Sequence, residues 1–365
     1  MRILFCVLLF VHGLIHLLGF VKGFGLKEVK ELTMSVSRPM GLLWLLAALL
    51  ILGFAWQYWA NAKLSWVLGF AAVGLSQVLI GIYWSDAKFG TLPNVAMILV
   101  VITLAGSYWF QGRIAREKDQ LISSVNRSNS IPVTEESIRN LPKPVQRWLR
   151  RSGVLGKPTI QVGKVTQRAQ MKLRPEQQHW MDASAVQYST ADPPGFIWSV
   201  NVKMNAFLSF QGRDRFQEGT GEMLIKLNSL FNIVNERGEK LDEGSLQRYL
   251  GEVVWFPTMA LSPCIAWETL TDSSAKATME FMGTQGSGVF HFSPEGDFIR
   301  FSAMRFRGNE AGASRSEWVL DVEDYRSFEG VRVPSQMTAT WLLDTGEWTW
   351  LKLELVDLTY DQASN

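Results

Sequence analysis

Cysteine is almost absent from this 365-residue chain: Cys6 lies in an apolar run and Cys264 stands alone far downstream. No disulfide framework can therefore hold the fold together. Histidine is nearly as scarce, with four in all, and only His179 and His291 fall outside the first third. Catalytic motifs are missing too. There is no HExxH, no CxxC, no nucleophile elbow and no phosphate-cradling glycine loop, so the chemistries that depend on them lack their residues. Nor is one sign of charge in excess. The chain has 36 Lys+Arg against 34 Asp+Glu, whereas a nucleic-acid binder shows a basic surplus or stripe. Neither a metal nor a cofactor is expected.

Charge is also thin in one place. Residues 1–112 carry as bases only Arg2, Lys22, Lys27, Lys30, Arg38, Lys63 and Lys88, and as acids only Glu28, Glu31 and Asp86. Between them run four apolar segments, Ile3–Phe20, Gly41–Tyr58, Leu64–Tyr83 and Leu92–Phe110, each near the roughly 20 residues that cross a hydrocarbon core. Trp44, Trp56, Trp59, Trp66, Trp84 and Trp109 fall mostly near segment ends, as an aromatic belt does. The first segment has no small-residue cleavage site and three more follow, so it reads as retained rather than as a signal peptide. The expectation is a multi-pass protein of a bacterial inner membrane, its partner the bilayer. Basic residues on the two sides nearly balance. Arg113, Arg116 and Lys118 crowd the last exit, which favours a cytoplasmic C-terminal domain.

Polar residues inside such segments are costly and call for a purpose. His12 and His16 share one helix face, and Ser76 and Gln77 lie midway along the third segment. Two readings stand: a buried proton or metal site, or interhelical hydrogen bonding that holds the bundle together. A single helix cannot supply both axial ligands of one haem.

The chain turns polar from Gln111 to Ser130 and then reaches Leu141-Pro-Lys-Pro-Val-Gln-Arg-Trp-Leu-Arg-Arg-Ser-Gly153. Pro144 suits a helix start and Gly153 a helix end. Val145, Trp148 and Leu149 share one face, and Arg147, Arg150 and Arg151 another. This helix either lies on anionic headgroups or docks on the domain that follows. From Lys157 the pattern is strand after strand, beginning with alternation over Val165–Arg174, running through Phe207–Phe216 and Met223–Asn235 among others, and ending with Arg332–Leu343 and Trp348–Tyr360. Turn signals include Asp192-Pro-Pro-Gly195, Gly212-Arg-Asp214, Glu236-Arg-Gly238, Pro294-Glu-Gly296 and Asp344-Thr-Gly346. A helix over Asp242–Pro257, capped by Asp242 or Ser245, interrupts them. The division is thus 1–112, a four-helix transmembrane module; 113–156, a polar linker with a short basic amphipathic helix; and 157–365, a β-rich domain. The fold class is an α-helical membrane bundle plus a mainly antiparallel β domain, an open curled sheet or half-barrel with one covering helix.

The stretches Leu141–Leu149, Gly212–Asp214 and Arg248-Tyr-Leu-Gly-Glu-Val-Val-Trp-Phe-Pro257 resemble an uncharacterised bacterial membrane protein family, a domain of unknown function. His12-Gly-Leu-Ile-His16-Leu-Leu-Gly-Phe20 and Ser85-Asp-Ala-Lys-Phe-Gly90 resemble members that carry a four-span module in front. The resemblance implies a bacterial membrane protein and no particular activity. In layout alone, the strands with one covering helix are similar to lipoprotein-carrier half-barrels.

The inside of a curled sheet is filled by side chains or by a ligand. Expected wall and rim residues are Trp198, Asp214, Arg248, Tyr249, Glu252, Trp255, Arg305, Trp348 and Trp350, with His12, His16 and Gln77 as intramembrane polar groups. Trp348 and Trp350 are expected to share a face with Lys352 and Glu354, opposite Leu351, Leu353 and Leu355. In the leading reading a membrane-tethered β domain binds a lipid-like or hydrophobic ligand without catalysis. The alternatives are a structural or assembly protein that binds a protein partner, and an acid/base enzyme centred on Glu252.

Overall fold

A computed structural model describes residues 1–126, 130–205 and 208–361. Arg127 of the linker, Phe207 at the start of an expected strand and the last four residues lie outside the described residues. The chain forms two compact units, one of Met1–Gly112 with Asn228–Leu230 and one of Arg113–Leu227 with Phe231–Asn365.

The first unit contains α1 (Arg2–Gly23), α2 (Arg38–Trp59), α3 (Ser65–Ile82), the single turn α4 (Trp84–Ala87) and the start of α5 (Thr91–Ser123). Four helical stretches are long and apolar enough to cross a membrane. Their outward faces are apolar (Leu4, Val7, Leu46, Leu49, Val78, Leu99), the inverse of a water-facing helix. Small residues let the backbones approach. A Cβ on Gly19 of α1 would stand 2.2 Å from Trp44 Cγ of α2.

The second unit is one antiparallel sheet with three helical layers upon it. Its strands are β1 (Val162–Met171), β2 (Met181–Ala191), β3 (Pro194–Lys203), β4 (Ser209–Gln217), β5 (Thr220–Leu227), β6 (Phe231–Glu236), β7 (Ile265–Thr271), β8 (Ser274–Phe281), β9 (Thr284–Phe292), β10 (Phe298–Phe306), β11 (Arg315–Phe328), β12 (Val331–Leu343) and β13 (Gly346–Tyr360). The order is β6-β5-β4-β3-β2-β1-β13-β12-β11-β10-β9-β8-β7. Two meanders thus meet where β1 pairs with β13. The chain passes from one sheet edge, β6, to the other, β7, through α8 (Glu239–Glu252) and two 3-10 turns.

That connection explains the curl. Thirteen strands laid flat would span roughly 58 Å, while a 14-residue helix covers only about 21 Å. The sheet therefore bends until its ends face each other across α8. At the rim, Thr284 Oγ1 donates to Gly219 O over 2.7 Å, joining the β4–β5 turn to the β8–β9 turn. Inside, Leu246, Leu250, Val253, Val254 and Trp255 are buried against Phe290, Phe301 and Leu320 in one large core. Gly288 of β9 makes room, because a Cβ there would lie 2.2 Å from Phe301 Cζ. Beyond Ser302/Val289 the β9–β10 ladder ends. There Gln247 Nε2 of α8 donates to Met304 O (3.1 Å) and Ser287 O (3.4 Å), standing in for the missing rung.

The remaining helices pack on this sheet. α6 (Glu135–Ile138) opens with a Thr134/Ser137 capping box. α7 (Lys143–Ser152) ends at Gly153, whose φ of 76° suits glycine. Val145, Trp148 and Leu149 of α7 are buried, with Trp148 5.9 Å from the Phe292 ring. Its arginines meet carboxylates, Arg150 with Glu135 at 2.7 Å and Arg151 with Asp297 at 3.3 Å. Docking on the domain, not lying on headgroups, is the arrangement seen.

Several local expectations change. Gly212-Arg-Asp214 is no turn but the middle of β4, where Gly212 faces Val200, 2.9 Å from its would-be Cβ. The expected strand Met223–Asn235 is two strands, broken at Asn228–Ser229, both with positive φ. β7 was not anticipated. α8 begins at Glu239 without a side-chain cap, and Asp242 instead accepts from Gly221 N at 2.6 Å. The β12–β13 register shifts between Ala339 and Thr340, which leaves Trp350 of β13 unmatched and pairs Trp341 with Trp348. The extra residue flips the alternation, so Trp348 shares the face of Leu351 and Leu353 and not, as expected, that of Lys352 and Glu354.

Candidate functional site

Two rungs of the sheet face each other across α8. Residues directly opposite in a ladder share a face. The first rung is Gln187–Trp198–Asp214–Met223, across β2 to β5. The second is Ala303–Trp318–Trp341–Trp348, across β10 to β13.

Arg248 reaches from α8 to the first rung and spends its whole guanidinium there. Nε donates to Glu252 Oε1 (2.8 Å), one terminal nitrogen to Asp214 (2.8 Å) and the other to Gln187 Oε1 (3.1 Å). Its carbon lies 4.7 Å from the Trp198 ring centroid and 4.9 Å from that of Phe196, a cation–π arrangement. Gln187, fully buried, returns a bond to Glu252 Oε2 (2.6 Å). Burial works against the Arg248 charge, but Glu252 and Asp214 outweigh it and hold its pKa above the usual value. Burial pushes the Asp214 carboxyl up, against the pull of Arg248 and Arg213. Each Glu252 oxygen accepts one of these bonds, so both ends of the carboxylate are anchored in the network.

Arg305 belongs with the second rung. Alternation along β10 turns it inward with Phe301 and Ala303. It feels Arg248, Glu252 and Asp214 as charges, and burial with Arg248 beside it brings its pKa down to about 10. Yet it makes no hydrogen bond or ion pair among the described residues, and its Nε is buried without a partner there. What it touches is aromatic: its guanidinium carbon is 4.2 Å from the Trp318 ring centroid and 5.8 Å from that of Trp341. The indole N–H groups of Trp318, Trp348 and Trp350 are likewise buried and unpartnered. This end of the concave face therefore holds a cation and three donors with nothing to receive them.

The expected site residues separate accordingly. Trp198, Asp214, Arg248 and Glu252 come together as an internal network, with Trp198 Nε1 held by Gln167 Oε1 at 3.0 Å. Tyr249 and Trp255 lie in the core. Tyr249 Oη donates to Thr190 O (2.8 Å), and burial drives its pKa far up; Trp255 is 1% exposed and its carbonyl accepts from Tyr360. Arg305 and Trp348 stand apart from that network on the second rung, with Trp350 at the bulge. Gln187, Trp318 and Trp341 were not among the expected wall and rim residues. Trp318 and Trp341 are visible in the sequence only as alternating strand residues, and their register is a tertiary fact.

A second network lies on the convex face, also unanticipated. Arg213, 1% exposed, bonds Glu222 of β5 (2.9 Å) and Glu117 of α5 (3.1 Å). Arg215 joins Glu222 at 2.8 Å, and Arg237 also reaches it. Burial lowers the Arg213 pKa despite these partners.

In the helical unit, His12, His16 and Gln77 do converge, joined by Ser76, Asn94 and Thr91. His12 Nε2 lies 3.1 Å from Asn94 Oδ1, His16 Nε2 2.9 Å from Ser76 Oγ, and Asn94 Nδ2 3.0 Å from Gln77 Oε1. Gln77 Nε2 donates to Thr91 at 3.2 Å.

Compared with known proteins, residues 132–353 match the model of a family of unknown function. No curated protein matches the chain. Among solved structures, a LolA superfamily protein from Nitrosomonas europaea is similar, at 9% identity and a TM-score of 0.33, with 60% of this chain and 94% of that one covered.

Proposed function

The chain belongs to that family of unknown function (DUF6544), and from its geometry we propose that the β domain is a membrane-tethered receptor for an amphipathic ligand with an acidic head. The apolar part of the ligand lies along Trp318, Trp341 and Trp348, and its carboxylate or phosphate meets Arg305. One observation carries this reading: the half-buried Arg305 guanidinium has aromatic neighbours, a buried Nε and no acceptor among the described residues. Burying such a group unsatisfied is costly, and an anionic oxygen would take its donors as a charge-assisted pair. The neighbouring indole N–H groups suit the same oxygens. The four apolar helices tether the domain to the bilayer of a bacterial inner membrane, and the basic cluster Arg113, Arg116 and Lys118 favours its cytoplasmic side.

Photolabelling tests this. The full chain in detergent is treated with a diazirine-bearing fatty acid, and the adducts are mapped by peptide mass spectrometry. The expected adducts fall on residues 315–320, 337–343 and 346–353, are competed by oleate, and drop at least tenfold in Arg305→Met. Labelling confined to residues 1–112, or labelling of the β domain indifferent to Arg305→Met, would sink the proposal.

A further inference from the structure

The helical unit contains a separate cavity of about 240 Å³, bounded by α1, α2, the end of α3 and the α4 turn. Ile15, Leu18, Leu32, Ile80, Phe89 and Pro93 give it apolar walls, and His12, His16 and Trp44 form part of its lining.

The hydrogen bonds fix where the protons stand. The His12 carbonyl can only accept, so His16 Nδ1 donates to it (2.9 Å). In the neutral ring Nε2 is then an acceptor, and Ser76 Oγ donates to it (2.9 Å). With that proton spent, Ser76 Oγ accepts from Asn94 Nδ2 (3.0 Å), whose second proton goes to Gln77 Oε1 (3.0 Å). Asn94 Oδ1 is left to accept from His12 Nε2 (3.1 Å). His12 Nδ1 thus keeps a lone pair with no partner among the described residues, on a side chain 2% exposed. Trp44 supplies the complement: it is 3% exposed, and its Nε1–H is buried without an acceptor. The His16 ring neighbours both residues, its centroid 4.5 Å from that of His12 and 5.1 Å from that of Trp44.

Two residues that line one apolar cavity therefore each carry an unmet polar atom, one an acceptor and one a donor, and buried polar groups are ordinarily satisfied. A hydroxyl has what the two lack, a proton to give and an oxygen to accept. An apolar cavity of roughly 150 Å³ admits benzene, so this larger one takes a ring with a short chain. Glu31 and Asp86 also line it. Asp86 is bound by Thr33 N (2.7 Å) and Met34 N (2.9 Å) and stays a carboxylate acceptor, which disfavours an anionic guest. We propose that this cavity binds a small, uncharged, hydrophobic phenol. The phenol O–H donates to His12 Nδ1, and its oxygen accepts from Trp44 Nε1.

The test uses the full chain in nanodiscs and two probes, 4-propylphenol and its methyl ether. The ether keeps the ring and the acceptor but loses the proton. Binding is read by saturation-transfer NMR, with partitioning into empty nanodiscs subtracted. The phenol is expected to bind at least about tenfold more tightly, one buried hydrogen bond. His12→Phe should erase that difference. Trp44→Phe should weaken both probes and keep the difference. Ile15→Trp, which fills the cavity from the lipid-facing side, should abolish both. Circular dichroism melts identify any variant that fails to fold, and the Trp44→Phe and Ile15→Trp arms then stand without it. Equal affinity for phenol and ether, binding no stronger than partitioning, or full binding to Ile15→Trp would overturn the proposal.

Discussion

Arg248→Met separates the structural cation from the available one. In the native fold Arg248 has three charge-assisted partners at 2.8, 2.8 and 3.1 Å. Methionine keeps much of the packing against Phe196 and Trp198 but strands two carboxylates whose side chains are only 17% and 11% exposed. Removing one partner of such a buried pair costs about 3–5 kcal/mol. For a domain of this size about 1 kcal/mol moves Tm by roughly 2–4 °C, so the expected fall is on the order of 10 °C. The sign of the pH dependence is fixed. Burial already raises the Asp214 pKa, and losing Arg248 raises it further. A carboxyl with a raised folded-state pKa costs stability that sets in as pH rises past its unfolded value and is fully present above the folded one, so the cost is relieved progressively as pH falls. The penalty of Arg248→Met is therefore largest at neutral pH and shrinks as pH falls toward 5. Adding Asp214→Asn and Glu252→Gln to Arg248→Met should recover most of it at pH 7.5. The assay is thermal unfolding of the full chain followed by near-UV circular dichroism between pH 5 and 7.5. A loss under about 1 kcal/mol, or one that does not change with pH, would refute the view that charge pairing to Arg248 locks α8 onto the first rung.

Arg305→Met should behave oppositely, losing ligand labelling while Tm stays within a few degrees, because no hydrogen bond is broken; a Tm loss like that of Arg248→Met would contradict the contrast. Gly288→Ala should cost about 1–3 kcal/mol by overpacking, since its Cβ would meet Phe301 Cζ at 2.2 Å, and denaturant unfolding should show a lower midpoint. Gln247→Leu leaves Met304 O and Ser287 O unmet at the end of the β9–β10 ladder and should cost about 1–3 kcal/mol, read by the same titration. Trp148→Ala, which empties the contact with Phe290 and Phe292, should cost about 3–5 kcal/mol and make residues 132–158 sensitive to limited proteolysis.

Much of this fold can be read from pattern, because pattern is local. The four apolar segments, the alternation of β1 and the apolar face of α8 need only periods of 3.6 and 2. What fails is one-residue arithmetic. The bulge near Thr349–Trp350 shifts the alternation of β13 by a single residue, and that suffices to part Trp348 from the expected face of Lys352 and Glu354 and set it with Leu351 and Leu353. Gly212 reads as a turn because glycine usually marks one; in β4 it admits Val200. The Asn228–Ser229 break lacks glycine or proline, so nothing in the composition announces it.

The candidate site shows the same division at the level of charge. Asp214, Arg248, Glu252 and Arg305 are legible as a group, since charges are rare among so many apolar inward positions. Which of them satisfy one another is not legible, because pairing depends on Gln187, a residue from a strand some sixty positions away in sequence. Gln187 Oε1 accepts the third Arg248 bond, and Gln187 Nε2 holds the second Glu252 oxygen. Without it, one terminal nitrogen of Arg248 and one oxygen of Glu252 would lose their partner in this network. With it, the first rung is closed, and the unmet donors of the concave face fall to Arg305 and the tryptophans around it. A neutral amide thus decides which of two arginines is structural and which is available.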